Sequence, residues 1–265
     1  MTDSSQIRWE RAGPWFSQCR SNTDARLRLF CFPYAGGGAS IYRMWPESLP
    51  AFVEVCPLEL PGRGRRLKEP AFTQLRPMVE AAAQALRPEL TKPFALFGHS
   101  MGALVAFELA RLFEREAGLK PARVFVSARR APHLPDDEPN TYNLPHAEFL
   151  EDVRRLNGTP KEVLEHEELL ELVIPLLRAD FEVCQTYQYI PGTPLACPIS
   201  AFGGVLDPDV HREHLEAWRE HTSAGFSLHM FPGDHFHINS SQFLLLKVLS
   251  QELESIFSQV RKSTD

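Results

Sequence analysis

The chain is poor in cysteine, and its cysteines do not form a recognisable framework. Its 265 residues include five cysteines, which are scattered without a CxxC pair or a Cys/His cluster. We therefore expect neither a disulfide framework nor a zinc site, and no other metal centre is predicted. The pattern favours a reducing compartment, so a cytoplasmic location is expected.

Basic residues are also in the minority. Lys and Arg number 28 against 34 Asp and Glu, which gives a formal net charge of −6. Proteins dedicated to nucleic acids or anionic membranes usually carry a basic surplus, so neither partner is expected. The most apolar segment, residues 94–110, is interrupted by Gly98-His99-Ser100, and no membrane span is predicted. The start of the chain lacks the pattern of a secretion signal.

What the chain does have is a regular alternation of strand and helix patterns. Short apolar runs predict strands at 27–32, 53–58, 94–97, 123–127, 198–202 and 226–231, and helical spacing predicts helices at 75–86, 101–117, 211–221 and 241–257. Such alternation implies an α/β fold with a mostly parallel central sheet and helices on both faces. A single domain over residues 1–265 is expected.

The alternation stops between residues 132 and 194. A stretch rich in Pro, Asp and Asn is followed by three helical patterns at 147–156, 161–165 and 167–187. Because this segment separates two strands, we expect it to lie over the carboxyl edge of the sheet, where open α/β folds bind ligands. We interpret residues 132–194 as a helical lid insertion within the single domain.

The strongest chemical signal is the GxSxG pentapeptide centred on Ser100, between a predicted strand and a predicted helix. In this setting a sharp turn exposes the serine hydroxyl as a nucleophile, and the flanking glycines avoid collisions with neighbouring backbone. The motif therefore predicts the nucleophile elbow of an α/β-hydrolase fold. The alternative is a tight turn with a buried serine. His99 cannot bend back to act as the base for its neighbour, so we expect it to pack inside the elbow.

A serine nucleophile needs a base from elsewhere in the chain. His235 follows a late predicted strand and precedes the final helix, which is where an α/β-hydrolase places its catalytic histidine. We therefore predict His235 as the base. His237 completes an HxH pair, but no further ligands at metal-binding spacing accompany it. We expect His237 at the surface or against the lid.

The carboxylate that orients the histidine should follow a strand and precede the histidine in the chain. Asp207 meets both conditions and is the predicted acid. Asp209 is the alternative, and it is otherwise expected to cap the helix that begins near His211. Asp234 adjoins His235 in sequence and is badly placed to accept from its ring, so a turn role is expected.

A tetrahedral intermediate needs backbone N–H donors aimed at its oxyanion. We predict that Met101, directly after the nucleophile, provides one donor. The second is assigned to Ala35, in the glycine-rich loop of residues 33–38. A phosphate-binding loop is the alternative for these glycines, but the GK[ST] sequence that it requires does not follow.

Together these motifs resemble the type II thioesterases that accompany modular polyketide and nonribosomal peptide synthetases, relatives of the stand-alone medium-chain thioesterase of fatty acid synthesis. The matching segments are FPYAGG at 32–37, LPGRG at 60–64, GHSMG at 98–102, residues 204–207 and GDHF at 233–236. GHSMG alone is common among hydrolases, whereas its combination with FPYAGG and LPGRG is specific.

The resemblance implies hydrolysis of acyl groups from the phosphopantetheine arm of acyl or peptidyl carrier proteins, usually to clear stalled or wrongly primed synthases. It implies no cofactor beyond the phosphopantetheine that the substrate carries. A monomer is expected.

A basic cluster at a glycine-rich turn stands out in this acidic chain. It consists of Arg63, Arg65, Arg66 and Lys68. Carrier proteins are generally acidic and phosphopantetheine carries a phosphate, so the cluster is predicted to guide the substrate. A solvated turn, or internal ion pairs for some of the arginines, is the alternative.

The third helical pattern of the insertion carries Phe181, Cys184 and Tyr187. These side chains are expected either to pack the core of the lid or to line a tunnel for the acyl chain.

Two other functions are compatible with the same motifs. A carboxylic-ester hydrolase acting on free esters would use an identical triad. An inactive hydrolase fold that binds carrier proteins would not need the triad, so the presence of Ser100, His235 and Asp207 makes it less favoured. Covalent labelling by a fluorophosphonate separates an active serine from an inactive one.

Overall fold

The computed structural model describes residues 13–16, 19, 22–135, 139–156, 158 and 161–262. The strands are β1 Leu27–Phe32, β2 Val53–Pro57, β3 Phe94–His99, β4 Val124–Ser127, β5 Ile199–Gly204 and β6 Phe226–Phe231. The helices are α1 Trp45–Ser48, α2 Leu75–Leu86, α3 Met101–Ala117, α4 His146–Arg155, α5 Lys161–Leu164, α6 Glu167–Gln185, α7 Arg212–Glu216, α8 His237–Ser240 and α9 Gln242–Lys262. The chain start, where no secretion signal is expected, and residues 136–138 of the Pro-rich stretch lie outside the described residues.

The predicted strands and helices lie close to their expected positions. The largest differences are at element ends: β3 continues to His99, and α9 continues to Lys262. The strand predicted at 94–97 also includes Gly98 and His99, so that β3 runs directly into the turn at Ser100. A single helix was predicted at 211–221, but its second half, Ala217–His221, is a 3-10 helix.

All six strands of the sheet are parallel, in the order β2-β1-β3-β4-β5-β6. The prediction of a parallel sheet is therefore confirmed. The order reverses direction between β1 and β3, which are neighbours with Phe32 opposite Gly98. Ligands of open α/β sheets bind outside the carboxyl ends of strands at such a reversal. Here that position is formed by the loop 33–38 after β1 and by Ser100 after β3.

Helices cover both faces of the sheet, as predicted. In β1, Phe30 and Phe32 pack with α2 and α3, whereas Leu29 and Cys31 face α1 and α9. Burial on both faces explains the nearly continuous apolar runs of these strands. The apolar segment 94–110 is β3 and the start of α3, inside this core. In the described part of the chain, no helix is both long enough and apolar enough to cross a membrane.

The helices α4, α5 and α6 lie in the chain between β4 and β5. They have a small apolar core of their own, made of Phe149, Leu150, Val153, Leu170, Ile174 and Leu177. The sequence patterns of the three helices are confirmed. That these helices act as a lid stays a prediction.

Candidate active site

Ser100 occupies a strained turn between β3 and α3. Its φ of 53° and ψ of −113° are unfavourable for a residue with a side chain, and strain of this kind concentrates at functional sites. The turn is held by the Ser100 N–H, which donates to the Ser127 carbonyl at 2.7 Å. A Cβ at Gly98 would lie 1.9 Å from the Gly102 carbonyl oxygen, and one at Gly102 would lie 2.1 Å from that of Phe32. Both glycines of the motif are thus required by close backbone contacts.

The structure brings Ser100, His235 and Asp207 into one chain of hydrogen bonds. The Ser100 Oγ lies 3.0 Å from Nε2 of His235, and Nδ1 of His235 lies 2.8 Å from Oδ2 of Asp207. In the neutral imidazole, Nδ1–H donates to the carboxylate and leaves Nε2 free to accept the serine proton. The arrangement has the geometry of a nucleophile, a base and an orienting acid.

The Asp207 carboxylate is buried, and its second oxygen is also bound. Oδ1 accepts the N–H groups of Asp209 and Val210, each at 3.0 Å. Burial raises the pKa of Asp207, but the hydrogen bond and charge of His235, with these two N–H groups, outweigh it and lower the pKa below its ordinary value. The carboxylate therefore stays ionised when His235 carries a proton.

The other two carboxylates of the neighbourhood have different contacts. The Asp209 carboxylate oxygen Oδ1 lies 3.5 Å from Nη1 of Arg155. The N-cap residue of helix α7 is His211 and not Asp209. The capping role expected for Asp209 was wrong. Asp234 accepts the Phe236 N–H at 2.9 Å, which is the turn role predicted for it.

The two predicted oxyanion donors come from different elements near the serine. Met101 is the first residue of α3, and the first N–H groups of a helix have no acceptor within the helix. Ala35 lies in the loop after β1 and lines the same pocket as Ser100. Their donor roles stay predictions.

A cavity of about 200 Å³ lies between this edge of the sheet and the helical insertion. Ser100 and His235 line it, and so do Phe181 and Cys184 of α6. Both roles left open for α6 apply to Phe181, which also packs against Phe149 of the lid core with ring centroids 5.5 Å apart. Tyr187 has a different position, because its hydroxyl donates to Glu108 at 2.7 Å.

Beneath the triad, three buried side chains form a second hydrogen-bond network. His99 places Nε2 at 2.9 Å from the His235 carbonyl oxygen and Nδ1 at 2.9 Å from the Ser127 Oγ. The same Oγ lies 3.2 Å from Nε2 of His237. His99 packs inside the elbow as predicted. His237 is fully buried, so its expected surface position was wrong, and Ser127 was not singled out from the sequence at all.

The acceptors of this network define the tautomer of His99. Because the His235 carbonyl only accepts, Nε2 of His99 carries the hydrogen. Burial, with the neighbouring histidines, lowers the pKa of His99 well below its ordinary value, and burial lowers that of His237 to about 4. In its neutral ring Nδ1 of His99 then accepts from the Ser127 hydroxyl. Neutral His237 has one hydrogen for two acceptors, the Ser127 Oγ at 3.2 Å from Nε2 and the Asp234 carbonyl oxygen at 3.3 Å from Nδ1. The network fixes the backbone of the predicted base.

These neutral histidines should make stability depend on pH. An unfolded histidine takes up a proton near pH 6.5, whereas His237 stays neutral in the folded protein to about pH 4. Between these values the unfolded chain binds the extra proton, so stability is lost as the pH falls. We expect His237 to contribute a loss of about 2 kcal/mol in the free energy of unfolding between pH 7 and pH 5, at roughly 1.4 kcal/mol per pH unit below 6.5.

Urea unfolding of the wild type and of His237→Gln at a series of pH values checks this. The loss should be smaller in His237→Gln than in the wild type. His146→Gln, which changes an exposed histidine at the start of α4, is the matched control and should behave like the wild type. Equal pH slopes for all three proteins would contradict the buried neutral state of His237.

The predicted basic cluster does not form a common surface. Arg63 is buried and paired with Asp180 at 2.8 Å. Arg66 is also buried, pairs with Glu69 at 2.6 Å and lies over the Trp15 ring. The guiding role predicted for the cluster does not fit these two arginines, because each has an internal partner, and the alternative of internal ion pairs applies to them. Only Arg65 and Lys68 of the four are exposed, and a carrier-guiding role for these two stays a prediction.

Among the described residues, one group has donor atoms near enough to share a metal ion. It consists of Cys19, Glu54 and Cys56. The two sulfur atoms are 3.1 Å apart, closer than the roughly 3.8 Å between thiolates that tetrahedral coordination at about 2.3 Å would require. The Glu54 carboxylate already accepts from Arg28 at 2.8 Å. The geometry favours a buried thiol pair.

Comparison with known proteins gives a consistent picture. The thioesterase domain family matches residues 27–253. A protein named linear gramicidin dehydrogenase LgrE, from Brevibacillus parabrevis, is 50% identical over 244 residues, which cover 91% of this chain and 93% of that protein. The structure of the RedJ thioesterase from the prodiginine pathway of Streptomyces coelicolor is 41% identical, covers 88% of this chain and 92% of that chain, and has a TM-score of 0.83.

A second structure, that of the type II thioesterase BorB from the borrelidin biosynthetic cluster, is 35% identical. The alignment covers 92% of this chain and 99% of the BorB chain, with a TM-score of 0.82. The agreement of fold with both thioesterase structures confirms the predicted α/β-hydrolase architecture. Because the family match extends over most of the chain, and the similar proteins are covered almost from end to end, this chain belongs to the thioesterase domain family and is a hydrolase that acts on thioesters.

Proposed function

We propose that this enzyme hydrolyses acyl thioesters on the phosphopantetheine arm of acyl or peptidyl carrier proteins, as a type II, editing thioesterase. The observation that carries the proposal is the hydrogen-bonded chain of Ser100, His235 and Asp207, in which Ser100 and His235 line the pocket beside the insertion. A nucleophile and its base therefore face one cavity.

In the proposed mechanism, Ser100 Oγ attacks the thioester carbonyl while Nε2 of His235 takes its proton. The N–H groups of Met101 and Ala35 bind the oxyanion of the tetrahedral intermediate. The C–S bond then breaks, and the pantetheine sulfur takes the proton from His235 as it leaves as a thiol, so that the imidazole is neutral again. The acyl group is now an ester of Ser100. A water molecule, deprotonated by His235, attacks this ester and releases the free acid and the serine.

Asp207 supports both halves of this cycle. Its ionised carboxylate holds Nδ1–H of His235, which keeps Nε2 directed at the serine and stabilises the imidazolium that forms. The mechanism needs neither a metal ion nor a bound organic cofactor. The hydride transfer implied by the name of the Brevibacillus protein has no comparable support in the geometry of the described residues.

The helical insertion is proposed to act as the lid of the acyl pocket. Val153, Leu177 and Phe181 present apolar surface from α4 and α6 to the cavity that also contains Ser100. Apolar cover of this kind excludes bulk water from the acyl chain and strengthens electrostatic interactions at the reacting carbonyl.

Carrier-bound acyl groups are the proposed substrates for two reasons. RedJ is a thioesterase of a biosynthetic pathway and BorB a type II thioesterase of a biosynthetic cluster, and this chain is similar to both over nearly its full length. The sequence also carries the motif combination of the type II thioesterases. Cytoplasmic location, a monomeric state and an editing role belong to the same proposal.

A comparison of three substrates with one acyl group tests the proposal. The acyl group is presented on a carrier protein, on N-acetylcysteamine and as an oxygen ester. We expect the carrier-bound form to have the highest kcat/KM, by about tenfold or more over N-acetylcysteamine, because binding energy from the remote part of the substrate lowers the barrier. Ser100→Ala provides the background rate.

The alternatives give different results in the same assay. A preference for the free oxygen ester would assign the protein to the carboxylic-ester hydrolases. Carrier binding without turnover, and without fluorophosphonate labelling of Ser100, would identify a catalytically inactive binding module.

A further inference from the structure

Helix α6 carries a buried carboxylate that the proposed mechanism does not use. Asp180 is fully buried, and Arg63 from the turn after β2 binds both of its oxygens. Nη2 of Arg63 lies 2.8 Å from Oδ1, and Nη1 lies 2.9 Å from Oδ2. A buried carboxylate destabilises the fold unless it is paired with a positive charge and hydrogen-bonded. A bidentate arginine contact provides both the charge and the hydrogen bonds. The pair ties the helical insertion to the body of the domain.

The same pair holds the glycine-rich loop of residues 33–38. The Gly36 N–H donates to Oδ2 of Asp180 at 2.7 Å, and Nη1 of Arg63 donates to the Gly37 carbonyl at 2.8 Å. Two consecutive residues of the loop are therefore bound, one by each member of the pair. The loop also closes on itself, because the Gly37 N–H donates to the Tyr34 carbonyl at 2.9 Å.

Helix α6 lies directly against this loop. Leu177, one helical turn before Asp180, is so near that a Cβ on Gly36 would be 2.5 Å from its Cδ2. Gly36 also has a φ of +76°, in the region that favours glycine. The loop is thus shaped by a glycine conformation and by the contact with α6 together.

Ala35, the proposed oxyanion donor, immediately precedes Gly36. The peptide group that joins Ala35 to Gly36 is planar and contains the N–H that Asp180 binds, so this hydrogen bond restricts the rotation of Ala35. Oxyanion donors are effective because they are fixed in position before charge develops on the substrate. A donor in a loosened loop would lose part of that effect.

We propose that Asp180 and Arg63 are positioning residues, which hold the Ala35 N–H in place to bind the oxyanion. The inference rests on the proposed function, because it assumes acyl transfer through Ser100. Neither side chain has to touch the substrate. Their loss should therefore weaken binding of the transition state and leave binding of the ground state nearly unchanged, a pattern that lowers kcat at constant KM.

Asp180→Asn is the first test, because it keeps the shape of the side chain and removes its charge. With a soluble acyl thioester of N-acetylcysteamine, we expect kcat to fall by about 10- to 100-fold, less than or comparable to the loss of one oxyanion donor. KM should stay within about threefold. The inhibition constant of a trifluoromethyl ketone analogue, which forms an oxyanion on Ser100, should rise by the same factor as kcat/KM falls.

Glu54→Gln is the matched control. Glu54 is a buried carboxylate that accepts from Arg28 at 2.8 Å across strands β1 and β2, so the substitution makes the same chemical change away from the pocket. It should lower thermal stability and leave kcat and the inhibition constant unchanged. Arg63→Lys is the second variant, which keeps the positive charge and loses the two-pronged contact, and it replaces Asp180→Asn if that protein does not fold.

The role as a positioning pair is wrong if the folded variants keep the kcat of the wild type, or lose activity only through a higher KM. It is also wrong if kcat falls while the trifluoromethyl ketone binds as tightly as before. A wild type that hydrolyses no thioester would overturn the proposed function itself, and labelling of Ser100 in the same samples separates that outcome from the failure of the positioning role.

Discussion

Replacing Ser100 or His235 with Ala is expected to lower kcat for thioester hydrolysis by about 10⁴-fold or more. Without the Ser100 hydroxyl no acyl-enzyme forms, and without Nε2 of His235, at 3.0 Å from that hydroxyl, no base removes its proton. Because the two groups act as one unit, the double variant should be little worse than either single variant. Steady-state kinetics on a soluble acyl thioester measures all three.

The folded state of each variant is checked by thermal unfolding and by binding of a product acid. Ser100→Ala keeps a side chain at a φ of 53°, so the strain of the elbow persists and the fold should be retained. Multiplicative losses in the double variant, or a His235→Ala protein with near-normal turnover, would mean that the two residues do not act together.

Asp207→Asn is expected to have the second largest effect, a loss of about 10³- to 10⁴-fold in kcat. The amide at this position offers an N–H donor to Nδ1 of His235, in place of the carboxylate that lies 2.8 Å from it. The imidazole then adopts the other tautomer, with its hydrogen on Nε2, and can no longer accept the proton of Ser100.

Asp209→Asn is the control for this prediction. It makes the same change two residues further along the same loop, at a carboxylate that lies beside Arg155, and it should keep nearly normal kcat. Measuring kcat of both variants between pH 6 and pH 9 shows whether Asp207→Asn acts through the tautomer of His235 or through the loss of a negative charge. A normal Asp207→Asn enzyme with an inactive Asp209→Asn enzyme would move the acid to Asp209.

The parts of the site that lie in local motifs could be predicted from the sequence. The GxSxG pattern places Ser100 between β3 and α3, since the conformation of that turn depends on its own glycines. Chain order then identifies His235 and Asp207, because parallel strands deliver their following loops to the same edge of the sheet. The structure brings the three side chains within hydrogen-bonding distance.

The contacts that could not be predicted connect distant parts of the chain. The sequence left open whether Arg63 guides the substrate or forms an internal ion pair, and nothing local indicates that Asp180, on a helix of the insertion, is its partner. His237 was expected at the surface or against the lid. Its burial against Phe231, with stacked rings 5.7 Å apart, depends on how the loop after β6 folds back over the sheet.

The most direct test of the central claim is mass spectrometry of the enzyme mixed with acyl-loaded carrier proteins and quenched at short times. The proposed mechanism predicts loss of the acyl mass from the phosphopantetheine arm, release of the free acid, and a transient acyl adduct on the peptide that contains Ser100. Ser100→Ala should show none of these changes. Carrier proteins that keep their acyl groups across a panel of chain types, or an adduct on any residue other than Ser100, would contradict the account.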